Sequence, residues 1–257
     1  MSAALLEVRG LDVAIGGRVF CRDLVLRLNG GESLAILGRN GAGKSTLLAT
    51  LAGLRPASTG AIEIGGLDPR LADPRTLARL RGYLPQQQHD PFTSTVLETV
   101  LVGRHPHLGR WEWEGATDRR LAETALAAVG LADYGQREVH SLSGGERQRL
   151  GIATLLTQAP RLFLLDEPLA HLDLNHQIAV LDLFATPGRD WGAAVAMVLH
   201  EPGLALRYCS RALLLFGDGE WLEGPSAEII NADNLSRLYG HALRELKDGG
   251  QRWFVPV

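Results

Sequence analysis

The sequence predicts an α/β fold: a core with a mixed sheet, an N-terminal antiparallel β subdomain and an inserted helical subdomain. Three observations lead there. The runs "SLAILG", "RLFLLDEP" and "AAVAMVLH" are apolar almost throughout, as strands buried on both faces are. The opening stretches "LLEVRGLDVAI" and "LVLRL" instead alternate, and read as antiparallel strands with one covered face. Between about residues 93 and 158, Leu, Ala and charged residues recur at helical spacing with no convincing strand among them.

In chain order, "SLAILG" is a short strand ending in glycine, and a helix is expected from near Gly43 through "KSTLLATLAG", stopping at Gly53. "AIEIGG" and "RGYLPQ" add two short strands. The helical insertion holds "TVLETVLVG", "DRRLAETALAAVGL" and "ERQRLGIATLLTQ". The sheet then resumes with "RLFLLDEP", a helix over "NHQIAVLDLF", and "AAVAMVLH". "ALLLFGDGEWLEG" reads as a hairpin turning at Gly217, Asp218 and Gly219, followed by a helical tail in which "QRWFVPV" adds an edge strand. The whole is read as one domain, 1–257, with a core of about 1–92 and 159–257 and the insertion at about 93–158.

Composition narrows the function classes. Apolar residues make up 46% of the chain and aromatics 6%, which suits a packed α/β core. A net charge of −3 argues against coating nucleic acid by bulk charge, and no nucleic-acid partner is expected. No apolar run reaches the length that crosses a bilayer, and "MSAALLEVRG" lacks the basic-then-apolar pattern of a secretion signal. Cys21 and Cys209 stand alone and read as buried thiols.

The chemistry starts at Gly38. "GRNGAGKS" fits G-x-x-x-x-G-K-[ST] and sits between an expected strand and helix, the context the motif needs. Gly38, Asn40, Gly41 and Gly43 let successive N–H groups point into one concavity, where the helix N-terminus adds partial positive charge. Lys44 would reach the β- and γ-phosphates, Ser45 would place its hydroxyl on Mg²⁺, and Thr46 continues the loop into the helix. In "LFLLDEP" a buried strand delivers Asp166, suited to holding Mg²⁺ through water, and Glu167, suited to taking a proton from attacking water. Because strand neighbours face opposite ways, the two acids are expected to point apart.

"GRNGAGKST", "LSGGERQ" and "LLDEP", in that order, resemble the ATP-binding subunit of ATP-binding cassette (ABC) transporters, over nearly the whole chain. The resemblance implies ATP and Mg²⁺ as cofactors, and a head-to-tail homodimer with two composite sites. Ser143, Gly144 and Gly145 of one copy would close over the γ-phosphate held by the other. It further implies that Gln86 senses Mg²⁺ and the attacking water, that Asp173 bridges the two copies, and that His200 contacts the γ-phosphate and orients Glu167. At the position where the family usually stacks an aromatic on adenine this chain has Ile15, with Arg18 and Phe20 nearby as alternative cover. Glu201-Pro202 follows the histidine where aspartate is commoner.

A cassette of this kind works at the cytoplasmic face of the membrane with a separate polytopic permease and, indirectly, a periplasmic binding protein. "LDLNHQ", "VGRHPHLG" and "LSRLYGHALREL" resemble the importer branch for iron-siderophores, haem and vitamin B12, and "YLPQQQHDPFTSTV" tips the cargo toward vitamin B12. His105 and His107, near Trp111 and Trp113, form a poor metal site and read better as part of a permease-docking loop. The alternative from another class is a soluble cassette ATPase, such as an iron–sulfur assembly component, that never transports.

Overall fold

The computed structural model describes residues 4–87, 93–185 and 192–257. A twelve-residue strand pair, β1 (Ala4–Ile15) and β2 (Arg18–Asn29), forms a hairpin closed by Gly16 and Gly17. β4 (Thr59–Ile64) joins its other side, giving an antiparallel sheet of order β2-β1-β4. The central sheet has six strands in the order β5-β6-β7-β3-β8-β9. In it β3 (Ser33–Gly38), β5 (Arg81–Leu84), β6 (Leu162–Leu165), β7 (Ala194–Val198) and β8 (Arg211–Leu215) run parallel. β9 (Trp221–Pro225) closes one edge antiparallel to β8, so the sheet is mixed.

The two-residue period of the strands divides their side chains between two cores. Ala35, Leu37, Phe163, Leu165, Val195, Met197, Ala212 and Leu214 enter one, which also takes in the helical insertion. Leu34, Ile36, Leu162, Leu164, Ala196, Val198, Leu213 and Leu215 enter the other, shared with α1 (Lys44–Leu51) and the N-terminal sheet. Both faces of the central strands are therefore dry, which explains their unbroken apolar sequences.

The insertion is built from α3 (Val96–Leu101), a 3₁₀ turn (Val102–His107), α4 (Ala116–Ala128) and α5 (Gly144–Gln158). α6 (Leu174–Ala185) follows β6. α2 (Pro74–Leu80) was not anticipated from the sequence. It is short, buries only Leu77, and announces itself through Asp73, whose carboxylate accepts from Thr76 N, and through Pro74 at its first position.

The C-terminal region differs from expectation. After the helices Ser226–Ile229 and Ala232–Tyr239, "QRWFVP" does not extend the central sheet. It pairs as β11 (Gln251–Pro256) with β10 (Leu243–Asp248) in a separate two-stranded hairpin. Gly249 and Gly250, at φ 55° and 81°, form a two-residue turn that brings the strands together locally. Closing so short a loop costs far less entropy than reaching the distant edge of the central sheet.

Candidate nucleotide site

Parallel strands end on one side of their sheet, and there β3, β7 and β6 stand side by side. β3 runs into the loop 39–43 and then α1. Gly43 occupies the N-cap position at φ 91°, where a side chain would be strained, and no side chain caps the helix. The backbone N–H groups at its start are thus left facing the loop's concavity. Asn40 and Gly41 are exposed there, Ser45 and Thr46 half-buried.

Lys44 is only 5% exposed, and its Nζ donates to the carbonyls of Gly38 and Arg39 at 2.9 and 3.1 Å. Burial pulls its ammonium below the usual lysine range, while Glu167 and Asp166 oppose that shift. Ser45 Oγ donates to Asp166 Oδ1 at 2.9 Å. Asp166 is 2% exposed, and burial pushes its carboxyl above the ordinary range. The Ser45 hydrogen bond works against this, the neighbouring Glu167 charge with it, and Lys44 against it again. Tyr83, on β5, also lies against Asp166, and burial first, then that carboxylate, push its phenol up to about 12.

Glu167 departs from the alternation argued from sequence. β6 ends at Leu165, so Asp166 and Glu167 are not neighbours on a strand. Glu167 sits instead in the left-handed region at φ 50°, which costs of the order of 1–2 kcal/mol for a residue with a Cβ. This turn is what parts the two acids: Asp166 meets Ser45, whereas Glu167 Oε1 lies 2.9 Å from His200 Nε2, just past the end of β7. Gln148, buried on α5, donates from Nε2 to the Glu167 carbonyl at 3.2 Å. Lys44, Ser45, Asp166, Glu167 and His200 thus form one linked cluster. Gln86 stands exposed beyond the end of β5, and among the described residues no hydrogen bond ties it to Ser45 or Asp166.

Ser143, at the start of α5, makes a reciprocal cap: its N–H donates to Glu146 Oε2 at 2.7 Å and its Oγ accepts from Glu146 N at 3.3 Å. Ser143 and Gly144 are exposed, and Gly144 and Gly145 pack against His171. Asp173 Oδ1 accepts from His176 N at 2.9 Å and lies 2.8 Å from His176 Nδ1, and the backbone bond chiefly holds its carboxyl below the usual range. Among the described residues, no hydrogen bond connects Ser143 or Asp173 to the Gly38–Ser45 loop.

Beside the loop, Ile15 is 40% exposed at the tip of the β1–β2 hairpin, directly opposite Arg18. Phe20 presses on Gly43, and the Arg18 guanidinium lies 5.1 Å from the centre of the Phe20 ring. In the insertion, Trp111 and Trp113 are 87% and 86% exposed. His107 Nε2 is bound to the Gln158 carbonyl at 2.8 Å, and among the described residues no group of three or more His, Cys, Asp or Glu could hold a metal ion. The contributions of Gln148 and Tyr83 were missed in the sequence. Gln148 lay inside the quoted "LSGGERQ", but its side chain's target, 19 residues on, has no local signal.

Comparison with known proteins gives a consistent result. The ABC transporter family model matches residues 21–170. The hemin import ATP-binding protein of Burkholderia thailandensis is 40% identical over 96% of both chains, and that of Deinococcus radiodurans is 40% identical over 94% of this chain and 92% of its own. The cobalamin import ATP-binding protein of Halobacterium salinarum is 38% identical over 91% of this chain but only 58% of its own length. Among solved structures, a metal-chelate type ABC transporter in an inward-facing conformation superposes with a TM-score of 0.85 at 30% identity, covering 99% of this chain and 98% of that one. A dimeric ATP-binding cassette in a post-hydrolysis state with ADP and phosphate gives 0.76 at 25% identity, over 86% of this chain and 98% of that one. The chain therefore belongs to the ABC transporter family, as an ATP-binding ATPase subunit coupled to transport.

Proposed function

We propose that two copies of this chain hydrolyse ATP between them and drive import of a metal chelate through a separate membrane permease, with haem the favoured cargo. The observation that carries the catalytic part is the convergence of Ser45 on Asp166 and of His200 on Glu167, each at 2.9 Å, beside the uncapped start of α1. N–H groups from Gly38, Asn40, Gly41, Gly43 and Thr46, with Lys44, cradle the ATP phosphates. The hard oxygen donors Ser45 and Asp166, with Gln86 at the rim, suit Mg²⁺. When bound, that ion would neutralise phosphate charge. Glu167 takes the proton of the attacking water, and His200 orients its carboxylate.

Ser143, Gly144 and Gly145 serve the phosphates held by the other copy, and Asp173 lies at the same junction. The exposure of Ser143, Gly144 and Asp173 supports this, as does the relative solved as a dimer with ADP and phosphate. Among the described residues no helix is long and apolar enough to cross a membrane. In this reading a separate permease is the membrane partner, and the chain sits at the membrane's cytoplasmic face with a periplasmic binding protein on the far side. The exposed Trp111 and Trp113 and the shallow groove beside Val102, His105 and Pro106 suit its docking.

The sequence leaned to vitamin B12, on a stretch that includes residues 88–92, which lie outside the described ones. The relatives at 40% identity, matched nearly end to end, are hemin import subunits, whereas the cobalamin relative is matched over 58% of its length. Haem therefore moves ahead of cobalamin and iron-siderophore. The test is ATP hydrolysis by the reconstituted complex with binding protein loaded with haem, cobalamin or iron-siderophore. Stimulation by the haem form alone is expected, and stimulation by another alone reassigns the cargo. Equal basal activity with every form overturns the import reading in favour of a non-transport ATPase.

A further inference from the structure

Helix α5 carries two groups that serve different places. Its start presents Ser143 and Gly144 outward, while about one turn further along Gln148 turns inward and is 5% exposed. Gln148 Nε2 donates to the carbonyl of Glu167 at 3.2 Å. The acceptor belongs to a residue held in the left-handed region, at φ 50°. His171, four residues on, is left-handed too, at φ 63°, and it also faces α5: a Cβ on Gly145 would come within 2.8 Å of the His171 carbonyl. Two non-glycine residues of one short loop thus keep an unfavourable backbone conformation exactly where α5 is bonded to it or pressed against it. A strained conformation persists only when its surroundings over-determine it.

We infer that Gln148 is a positioning residue that holds Glu167 ready for its task and ties it to the helix whose tip meets the other copy's nucleotide. This rests on the proposed roles of Glu167 as base and of Ser143 in the partner's site. A displacement of α5 when Ser143 engages phosphate is passed through a buried side chain about one helical turn away to the backbone of Glu167. Each copy then senses the occupancy of the other's site through its own α5, and the two hydrolytic events are coupled. The Glu167 carbonyl also accepts from Ala170 N within its own loop at 3.1 Å, so the Gln148 amide is the donor that ties it to α5, with a directionality an apolar contact lacks.

The experiment uses the full chain in complex with its permease. Gln148→Met keeps the length and packing of the side chain and removes the donor, and Gln148→Glu, a near-isostere whose ionised form cannot donate, covers the case where Met disturbs folding. Expected is a fall in kcat of about 10- to 100-fold with the KM for ATP within about two-fold, since the affected group acts after binding. The Hill coefficient for ATP should fall toward one. In mixed dimers, Ser143→Ala on one copy should slow hydrolysis at the site whose phosphate loop is on that same copy, and adding Gln148→Met to that copy should remove this dependence. Unchanged kcat and cooperativity overturn the inference, as does a proportionate loss of kcat, ATP affinity and thermal stability together. Glu167→Gln run in parallel separates the two levels: if it still turns over, the base assignment fails, and if it is dead while the Gln148 variants are normal, only this inference fails.

Discussion

Helix α1 leaves β3 through Gly43, at φ 91°, with no side-chain cap and no acid in its first turn. Helix α5 leaves its loop through Ser143, in extended conformation, with a reciprocal cap to Glu146 in the first turn. The first start keeps its N–H groups and its partial positive charge free, and so is prepared for an anion. The second already satisfies one orphan N–H through Ser143, and the Glu146 carboxylate, held below its ordinary range chiefly by the Ser143 N–H, offsets part of its dipole. Two glycine-rich turns that look alike as text are therefore unequal as anion sites. This fits a division in which α1 binds ATP unaided and α5 adds contacts once another copy arrives.

Substituting the glycines tests that contrast most directly. A Cβ on Gly43 would lie 2.5–2.6 Å from Phe20 in a conformation L residues resist. Gly43→Ala should cost about 2–4 kcal/mol and abolish ATP binding. Thermal unfolding and nucleotide titration would show it, and an unchanged melting temperature would mean Phe20 yields easily and the first turn is less constrained than argued. Gly145→Ala comes next, because its Cβ would meet backbone, 2.8 Å from the His171 carbonyl. A loss of about 1–3 kcal/mol in chemical denaturation is expected.

Gly144→Ala should separate folding from function. Its Cβ would meet only the His171 ring, at 3.6 Å, so the chain should stay as stable or gain up to about 1 kcal/mol. Turnover should nevertheless fall if another copy's phosphate must approach that backbone; normal turnover would remove Gly144 from the composite site. The smallest effect is expected at Ile15, half-exposed at the hairpin tip. Ile15→Tyr should tighten ATP by about 0.5–1.5 kcal/mol without changing the binding of tripolyphosphate, which has no base to stack. An equal change for both ligands would place the effect at the phosphates instead.

The core elements were legible because their signals are local. Strands buried on both faces announce themselves as apolar runs, and the phosphate loop by glycines at fixed offsets. α2 was missed because a seven-residue helix that buries Leu77 alone has no periodic stripe to read. "QRWFVPV" was read as a strand correctly, but its partner β10 lies within the expected helical tail, since an apolar β-rich run does not say what it pairs with. The divergence of Asp166 and Glu167 was anticipated for the wrong reason, because the strand stops one residue too early for alternation to act.

By itself the sequence determined the residue types on which the chemistry depends: an oxygen-donor pair, a carboxylate with a histidine, and two helix starts able to meet phosphate. Only the tertiary structure decided who meets whom. Ser45 reaches Asp166 across 121 positions because β7 slots between β6 and β3, an order no local pattern encodes. Glu167 reaches His200 because a left-handed turn redirects it, and the carbonyl of that turn accepts from Gln148 of α5 and from Ala170 N. Local preference fixes which groups are available; the non-local burial that orders the strands fixes their geometry.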